Sequence, residues 1–234
     1  MDRKSITQDS GLKVDRTKFR VVNGQYLESR HQKKAIFLHH TAGTSVAGAV
    51  RWWDQTPDRV GTAFIVDRDG TIYEVFDPLA WAYHLGLKGD TNELEKSSIG
   101  IEIVSAGKIY KRPDGHYYFY PLYPKVEPKT RIEESEVGIM DRDWRSLKKG
   151  DFYHKYTDAQ IKSVVGLIEL LSKTCCIPVQ KYFKDFFEYD SSVIAQAKAG
   201  IWSHSTVRKD KLDIIPQVEL INELYSLFEK LAEE

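Results

Sequence analysis

The sequence predicts an α/β fold, and three observations carry that expectation. Apolar runs rich in β-branched and aromatic residues, at 35–38 and 98–104, read as strands covered on both faces. The runs 62–66 and 71–76 flank Asp67-Arg68-Asp69-Gly70 and read as a hairpin closed by an Asp-Gly turn. Two long segments near the C-terminus carry apolar residues at helical spacing.

The chain has 234 residues and a mass of 27.0 kDa, which suits one large domain or a domain carrying an elaboration. Lysines plus arginines number 34, as do aspartates plus glutamates, so no overall attraction to nucleic acid or an anionic membrane is expected. The N-terminus, MDRKSITQDSGLKVDRTKF, lacks the apolar core of a secretory signal, and no apolar run is long enough to span a bilayer. A cytoplasmic protein is therefore expected, and a monomer. The adjacent Cys175 and Cys176 read as reduced core thiols.

Residues 1–33 are charged and sparsely apolar and read as an N-terminal arm, with the main domain at 34–234. The stretch KAIFLHHTAG then ends a buried strand with two imidazoles, His39 and His40. Successive strand side chains point to opposite faces, so one ring is a ligand or catalyst and the other a packing or supporting group. The stretch SVAGAVRWWD at 45–54 reads as a helix capped by Thr44 or Ser45.

After the hairpin come WAYHLG, a polar loop GDTNELEKS, and SIGIEIV, which carries the single carboxylate Glu102 among aliphatic residues. Residues 105–156 differ in texture, with an aromatic hairpin candidate, KIYKRPDGHYYFYPLY, followed by a long charged stretch. A structureless loop of that length would be unusual, so this is a folded insertion or a functional flap. From Thr157, Ile161, Val164, Val165, Ile168 and Leu171 mark one helix. Pro216 starts another, with Val218, Ile221, Leu224, Tyr225, Phe228 and Leu231 expected on its buried stripe.

A hydrolytic zinc site wants three protein ligands and an open fourth position. His39, His204 and Asp213 would supply such a set, although the spacing of His204 and Asp213 is common by chance. The ordered series KAIFLHHTAG, GTAFIVDRDGTIYEV, AYHLG, SIGIEIV, YTDAQI and SHSTVRKDKLD resembles the zinc-dependent type 2 N-acetylmuramoyl-L-alanine amidases, the family that includes the peptidoglycan recognition proteins. The resemblance covers roughly 34–104 and 156–228.

It implies a mixed central β-sheet flanked by helices, a Zn2+ at the bottom of a groove, and a peptidoglycan or muropeptide substrate. It further implies His39, His204 and Asp213 as metal ligands, Glu102 as general base, Lys211 as the oxyanion-stabilising group and His84 as a substrate contact. His40 then becomes a neighbour facing away. The plainer readings are a buried ion pair for Glu102, a solvated lysine for Lys211 and a packing ring for His84.

Trp52, Trp53 and Trp81 are candidates for lining a sugar groove, with core packing the safer reading for at least one. Tyr117, Tyr118, Tyr120 and Tyr123 of the insertion, atypical of the family, are expected to extend that groove. The chain departs from the family at Ser203-His204-Ser205-Thr206, where Gly-His-Arg-Asp or Gly-His-Ser-Asp is common. Its shortened loop to Asp213 makes Asp210 a competing ligand, and Thr62 stands where some members carry a catalytic tyrosine. A peptidoglycan-binding module without catalysis is the rival reading, and for the enzyme the resemblance leaves two uses open: recycling of cytosolic muropeptides, or lysis of a cell wall as a phage endolysin after release.

Overall fold

A computed structural model describes residues 6–7, 10–87, 92–119, 131–180 and 182–233. In chain order its elements are β1 (Val14–Asp15), β2 (Ala35–His40), α1 (Val46–Gln55), β3 (Phe64–Val66), β4 (Ile72–Glu74), α2 (Asn92–Ser97), β5 (Ser98–Ile103), β6 (Lys108–Lys111), β7 (Tyr117–Phe119) and β8 (Arg131–Ile132). There follow β9 (Val137–Ile139), β10 (Phe152–His154), α3 (Asp158–Cys175), α4 (Ser191–Ala195), β11 (Gly200–Ser203), α5 (His204–Val207) and α6 (Val218–Glu233).

The central sheet has the strand order β1-β4-β3-β5-β2-β11. It is mixed: β2 runs parallel to both β5 and β11, while β3 and β4 form the expected antiparallel hairpin. The continuous apolar run of β2 follows from its central place. Ile36 and Leu38 enter the main core on one face, and Ala35 and Phe37 enter a second cluster with Leu85, Val193 and Trp202 on the other. A fully buried side chain such as Phe37 contributes roughly 1.5–3 kcal/mol. The same alternation puts His39 on the Phe37 face and His40 on the Leu38 face.

Helix α1 starts where Ser45 accepts a hydrogen bond from the Gly48 backbone. Helix α3 starts with a complete capping box, in which the Thr157 side chain accepts from Gln160 N–H and the Gln160 side chain accepts from Thr157 N–H. Gly70 of the hairpin turn has φ +80°, and an added Cβ would lie 2.8 Å from the Ala159 carbonyl, so the turn packs against α3 as only glycine allows.

Of the insertion at 105–156, the described residues, 105–119 and 131–156, are folded. Among the described residues they build a second sheet of order β8-β7-β6-β10-β9, with a small core of Ala106, Ile109, Tyr117 and Ile132. Ser105 Oγ donates to the His154 carbonyl at 2.8 Å and joins this sheet to the end of β5.

Two expectations need correction. The buried stripe of α6 runs through Leu220, Leu224, Leu227 and Phe228, whereas Val218 and Tyr225 are 52% and 48% exposed. The face that meets α3 is rotated from the expected one, because Leu220 and Leu227 complete a tighter apolar seam than Val218 and Tyr225. Of the two thiols, Cys175 packs at the core edge and Cys176 is exposed, since Cys176 ends α3 in the left-handed conformation with φ +55°.

Candidate active site

The carboxyl-terminal ends of β2, β5 and β11 lie at one edge of the central sheet, the usual place for a site in a sheet with parallel strands. His39 is directly opposite Glu102 in the β2–β5 register, so the two side chains emerge on the same face. β11 pairs with β2 through Ser203 and Leu38, which delivers His204 beside His39 one residue later. The loop after α5 is folded back by Ser205 N–H donating to the Asp213 carbonyl at 3.0 Å. That bond brings Asp213 to His204.

Three atoms converge there. His39 Nδ1 is 3.0 Å from His204 Nδ1, His204 Nδ1 is 2.8 Å from Asp213 Oδ2, and His39 Nδ1 is 3.3 Å from the same oxygen. Among the described residues these three form the one His, Cys, Asp and Glu group able to hold a metal ion. Ligands about 2.0–2.1 Å from a tetrahedral zinc lie roughly 3.3 Å apart, so the cluster matches such a site after a small expansion. The donor chemistry matches as well. His204 Nε2 lies 3.1 Å from the Leu85 carbonyl, which can only accept, so Nε2 carries the proton and Nδ1 presents its lone pair to the cluster.

Burial, then the neighbouring His204, lowers His39 to a pKa of about 4, which keeps the ring neutral against the pull of Asp213. Burial alone would push Asp213 up, but His204 and His39 together hold it well below the ordinary carboxylate range. Glu102 behaves in the opposite way: burial, then the charge of Asp213, push it well above the ordinary range, and Lys211 only partly opposes them. Its Oε2 is enclosed and has no hydrogen-bond partner.

The cluster borders a cavity of about 800 Å3, which Glu102, Lys211, Trp52 and Trp53 also line. Trp52, 57% exposed, stands at its rim, while Trp53 is buried in the core behind it. His40 borders the cavity too, but its Nδ1 lies 3.4 Å from Tyr156 Oη. Tyr156 Oη already accepts from Ile215 N–H, so its own proton goes to His40. Asp210 is drawn away from the cluster, paired twice with Arg208 at 2.8 and 2.7 Å. Asp213 is therefore the acidic member.

Several expected substrate contacts lie elsewhere. Trp81 is buried, donates through Nε1 to Ser29 Oγ and is absent from the lining of the large cavity. Tyr118 sits on the second sheet with its hydroxyl on Asp114 Oδ2 at 2.7 Å, and Tyr117 is buried against Phe152; neither lines the cavity. Tyr120 and Tyr123 lie outside the described residues. Aromatic residues on β7 fill and flank the second sheet's own core, which is why composition misplaced them. His84 borders the cavity, yet both ring nitrogens are engaged, Nδ1 with His39 Nε2 and Nε2 with Ser98 Oγ. Thr62 is buried and donates to the Phe64 carbonyl.

The insertion meets the site by another route. Arg145 donates to the carbonyls of Phe187 at 3.1 Å and Ser205 at 3.0 Å, and Trp144 Nε1 donates to the Leu212 carbonyl at 3.4 Å. Leu212 lies between Lys211 and Asp213, so these side chains brace the loop that carries both. Ser203 and Thr206 hydroxyls both donate to the Phe186 carbonyl at 2.7 Å, which gives the family-atypical residues around His204 an anchoring role. Nothing in the order of residues marks Trp144, Arg145 or Phe186, because they act through backbone carbonyls distant in the chain.

A family model described as N-acetylmuramoyl-L-alanine amidase matches residues 29–214. The solved structure of PlyL is 12% identical, with 94% of this chain and 96% of that chain covered and a TM-score of 0.50, a likeness of fold. The catalytic domain of XlyA is 14% identical over 94% of this chain and 99% of its own, with a TM-score of 0.49. A mutant endolysin from Bacillus subtilis is 16% identical over 94% and 99%, with a TM-score of 0.48. No curated protein matches the chain.

Proposed function

The chain belongs to the N-acetylmuramoyl-L-alanine amidase family and is an amidase of that kind, and from this premise we propose that it is a zinc enzyme hydrolysing the amide between the lactyl group of N-acetylmuramic acid and L-alanine in the peptidoglycan of a cell wall. The observation that carries the zinc reading is the convergence of His39 Nδ1, His204 Nδ1 and Asp213 Oδ2 on one another beside an open cavity. Those three residues would hold the ion. When bound, zinc supplies Lewis acidity toward the scissile carbonyl and makes water a competent nucleophile near neutral pH.

The protein's own groups do the rest. Glu102, which lines the cavity and whose proton affinity is raised by burial and by Asp213, accepts a proton from the attacking water on its carboxylate and returns it to the departing L-alanine nitrogen. Lys211, on the same cavity, offers positive charge to the oxyanion that develops on the carbonyl. Trp52 at the rim presents an apolar face on which a sugar ring can stack. Among the described residues no helix is long and apolar enough to cross a membrane. Action on the wall as an endolysin is the use we favour, and the complete donor set disfavours a binding module without catalysis.

Purified peptidoglycan incubated with the zinc-loaded protein should yield new L-alanine amino termini. A chelator should stop the release and added zinc should restore it. Intact peptide stems after digestion with metal-loaded protein would overturn the reading.

A further inference from the structure

We propose that the dipeptide His84-Leu85, pinned by the carboxyl group of Glu95, sets the tautomer and orientation of both imidazole ligands, His39 through the His84 ring and His204 through the Leu85 carbonyl. The proposal rests on the zinc reading above. It makes His84 a positioning residue rather than a substrate contact.

The geometry is a chain of short contacts in a closed interior. His39 Nε2 is 3.0 Å from His84 Nδ1, His84 Nε2 is 2.8 Å from Ser98 Oγ, and Ser98 Oγ is 3.4 Å from the Glu95 carbonyl. Glu95 Oε2 accepts from His84 N–H at 3.0 Å, and both Glu95 carboxyl oxygens lie 3.2 Å from Leu85 N–H. Glu95, Ser98 and His84 are 1%, 3% and 9% exposed, so water does not replace these contacts.

Counting protons fixes the direction. Two ring nitrogens 3.0 Å apart share one proton. For His39 to present a lone pair at Nδ1, its proton must sit on Nε2 and be donated to His84 Nδ1. His84 then carries its proton on Nε2, where Ser98 Oγ accepts it and Glu95 Oε2 stands 3.8 Å away. The Ser98 hydroxyl proton is left to point at the Glu95 carbonyl, so every donor has an acceptor.

The reverse arrangement would let Ser98 Oγ donate to His84 Nε2, but it fails because it would put a proton on His39 Nδ1, inside the cluster. On the other ligand, His204 Nε2–H reaches the carbonyl of Leu85, the residue whose own N–H is bound by Glu95. One buried carboxyl group therefore orders the supports of both histidines.

Long-range proton–nitrogen correlation spectra of the 15N-labelled, zinc-loaded protein test this without mutation. His39 and His204 should be metal-bound at Nδ1 and protonated at Nε2, and His84 should be protonated at Nε2 with a bare Nδ1. A proton on His84 Nδ1 would overturn the proposal. In zinc competition against a chelator, His84→Ala should weaken binding about 10- to 100-fold. His84→Asn, whose amide oxygen can accept from His39 Nε2–H, should recover most of that loss. Equal zinc affinity in His84→Ala and the unaltered protein, or no recovery in His84→Asn, would also overturn it. Failure of the unaltered protein to bind zinc at all would instead remove the metal reading itself.

Discussion

A buried histidine meets a carboxylate both at the edge of the central sheet and where the second sheet meets the first. At the edge, His39 Nδ1, His204 Nδ1 and Asp213 Oδ2 converge on one another at 2.8 to 3.3 Å beside an open cavity. At the junction, His154 Nδ1 accepts from Ala106 N–H at 3.1 Å. Glu136 there is paired with Arg68 Nη2 at 2.7 Å and lies 3.8 Å from His154 Nε2. Arg68 also donates to the Lys155 carbonyl and to Gln160 Oε1. The junction carries its own cation, Arg68, whose donors are spent on Glu136, Gln160 and the Lys155 carbonyl, so it holds two sheets together. Residue types alone do not separate a cluster able to hold a metal ion from a structural one; ligand atoms that converge beside open space do.

That contrast predicts a ranking of effects. Asp213→Asn removes the anionic ligand, and zinc content by elemental analysis should fall to background with at least about a thousandfold loss of turnover. Lys211→Ala should keep zinc and lower kcat by about a hundredfold to a thousandfold, measured on a soluble muropeptide. Arg145→Ala removes two charge-assisted bonds to the carbonyls of Phe187 and Ser205. It should cost about 1–3 kcal/mol in urea unfolding and loosen zinc through the loop of Asp213. Unchanged zinc retention would show that the insertion's contact is purely structural.

The smallest effect belongs to the junction. Burial, then the charge of Arg68, lowers His154 to a pKa of about 4. An unfolded histidine titrates near 6.5, so between pH about 6.5 and 4 the unfolded chain holds more protons and stability falls as the pH drops. The slope is roughly 1.4 kcal/mol per pH unit at most from this one ring. Urea melts of the metal-free His154→Gln protein should show a shallower acid limb than the unaltered chain, with zinc content after reloading unchanged. Loss of zinc in that variant would blur the distinction between the two clusters.

Local signals in the chain are strong where local physics decides. The apolar runs of β2 and β5, the Asp-Gly hairpin, the Ser45 and Thr157 caps and the periodicity of α3 are all legible, because strand alternation, turn chemistry and capping act within a few residues. His39, Glu102, His204, Lys211 and Asp213 were legible through their order along the chain, and the structure brings all five to one cavity. The rotation of α6 was not, since which flank of a broad apolar stripe is buried depends on the helix it meets.

By itself, then, the sequence determined which segments are strands and helices, which family they resemble, and which side chains are chemically able to hold zinc and move a proton. Only the tertiary structure decided that Asp213 rather than Asp210 joins the two imidazoles, because that choice depends on Arg208 pairing with Asp210 and on Ser205 folding the loop back. It likewise decided that His84 faces His39, that Tyr118 serves the second sheet, and that the insertion touches the site through Trp144 and Arg145. The placing of His84 and of the insertion rests on hydrogen bonds between groups tens of residues apart, in the insertion's case to backbone carbonyls that every residue possesses. A pattern of side chains carries no record of such partners.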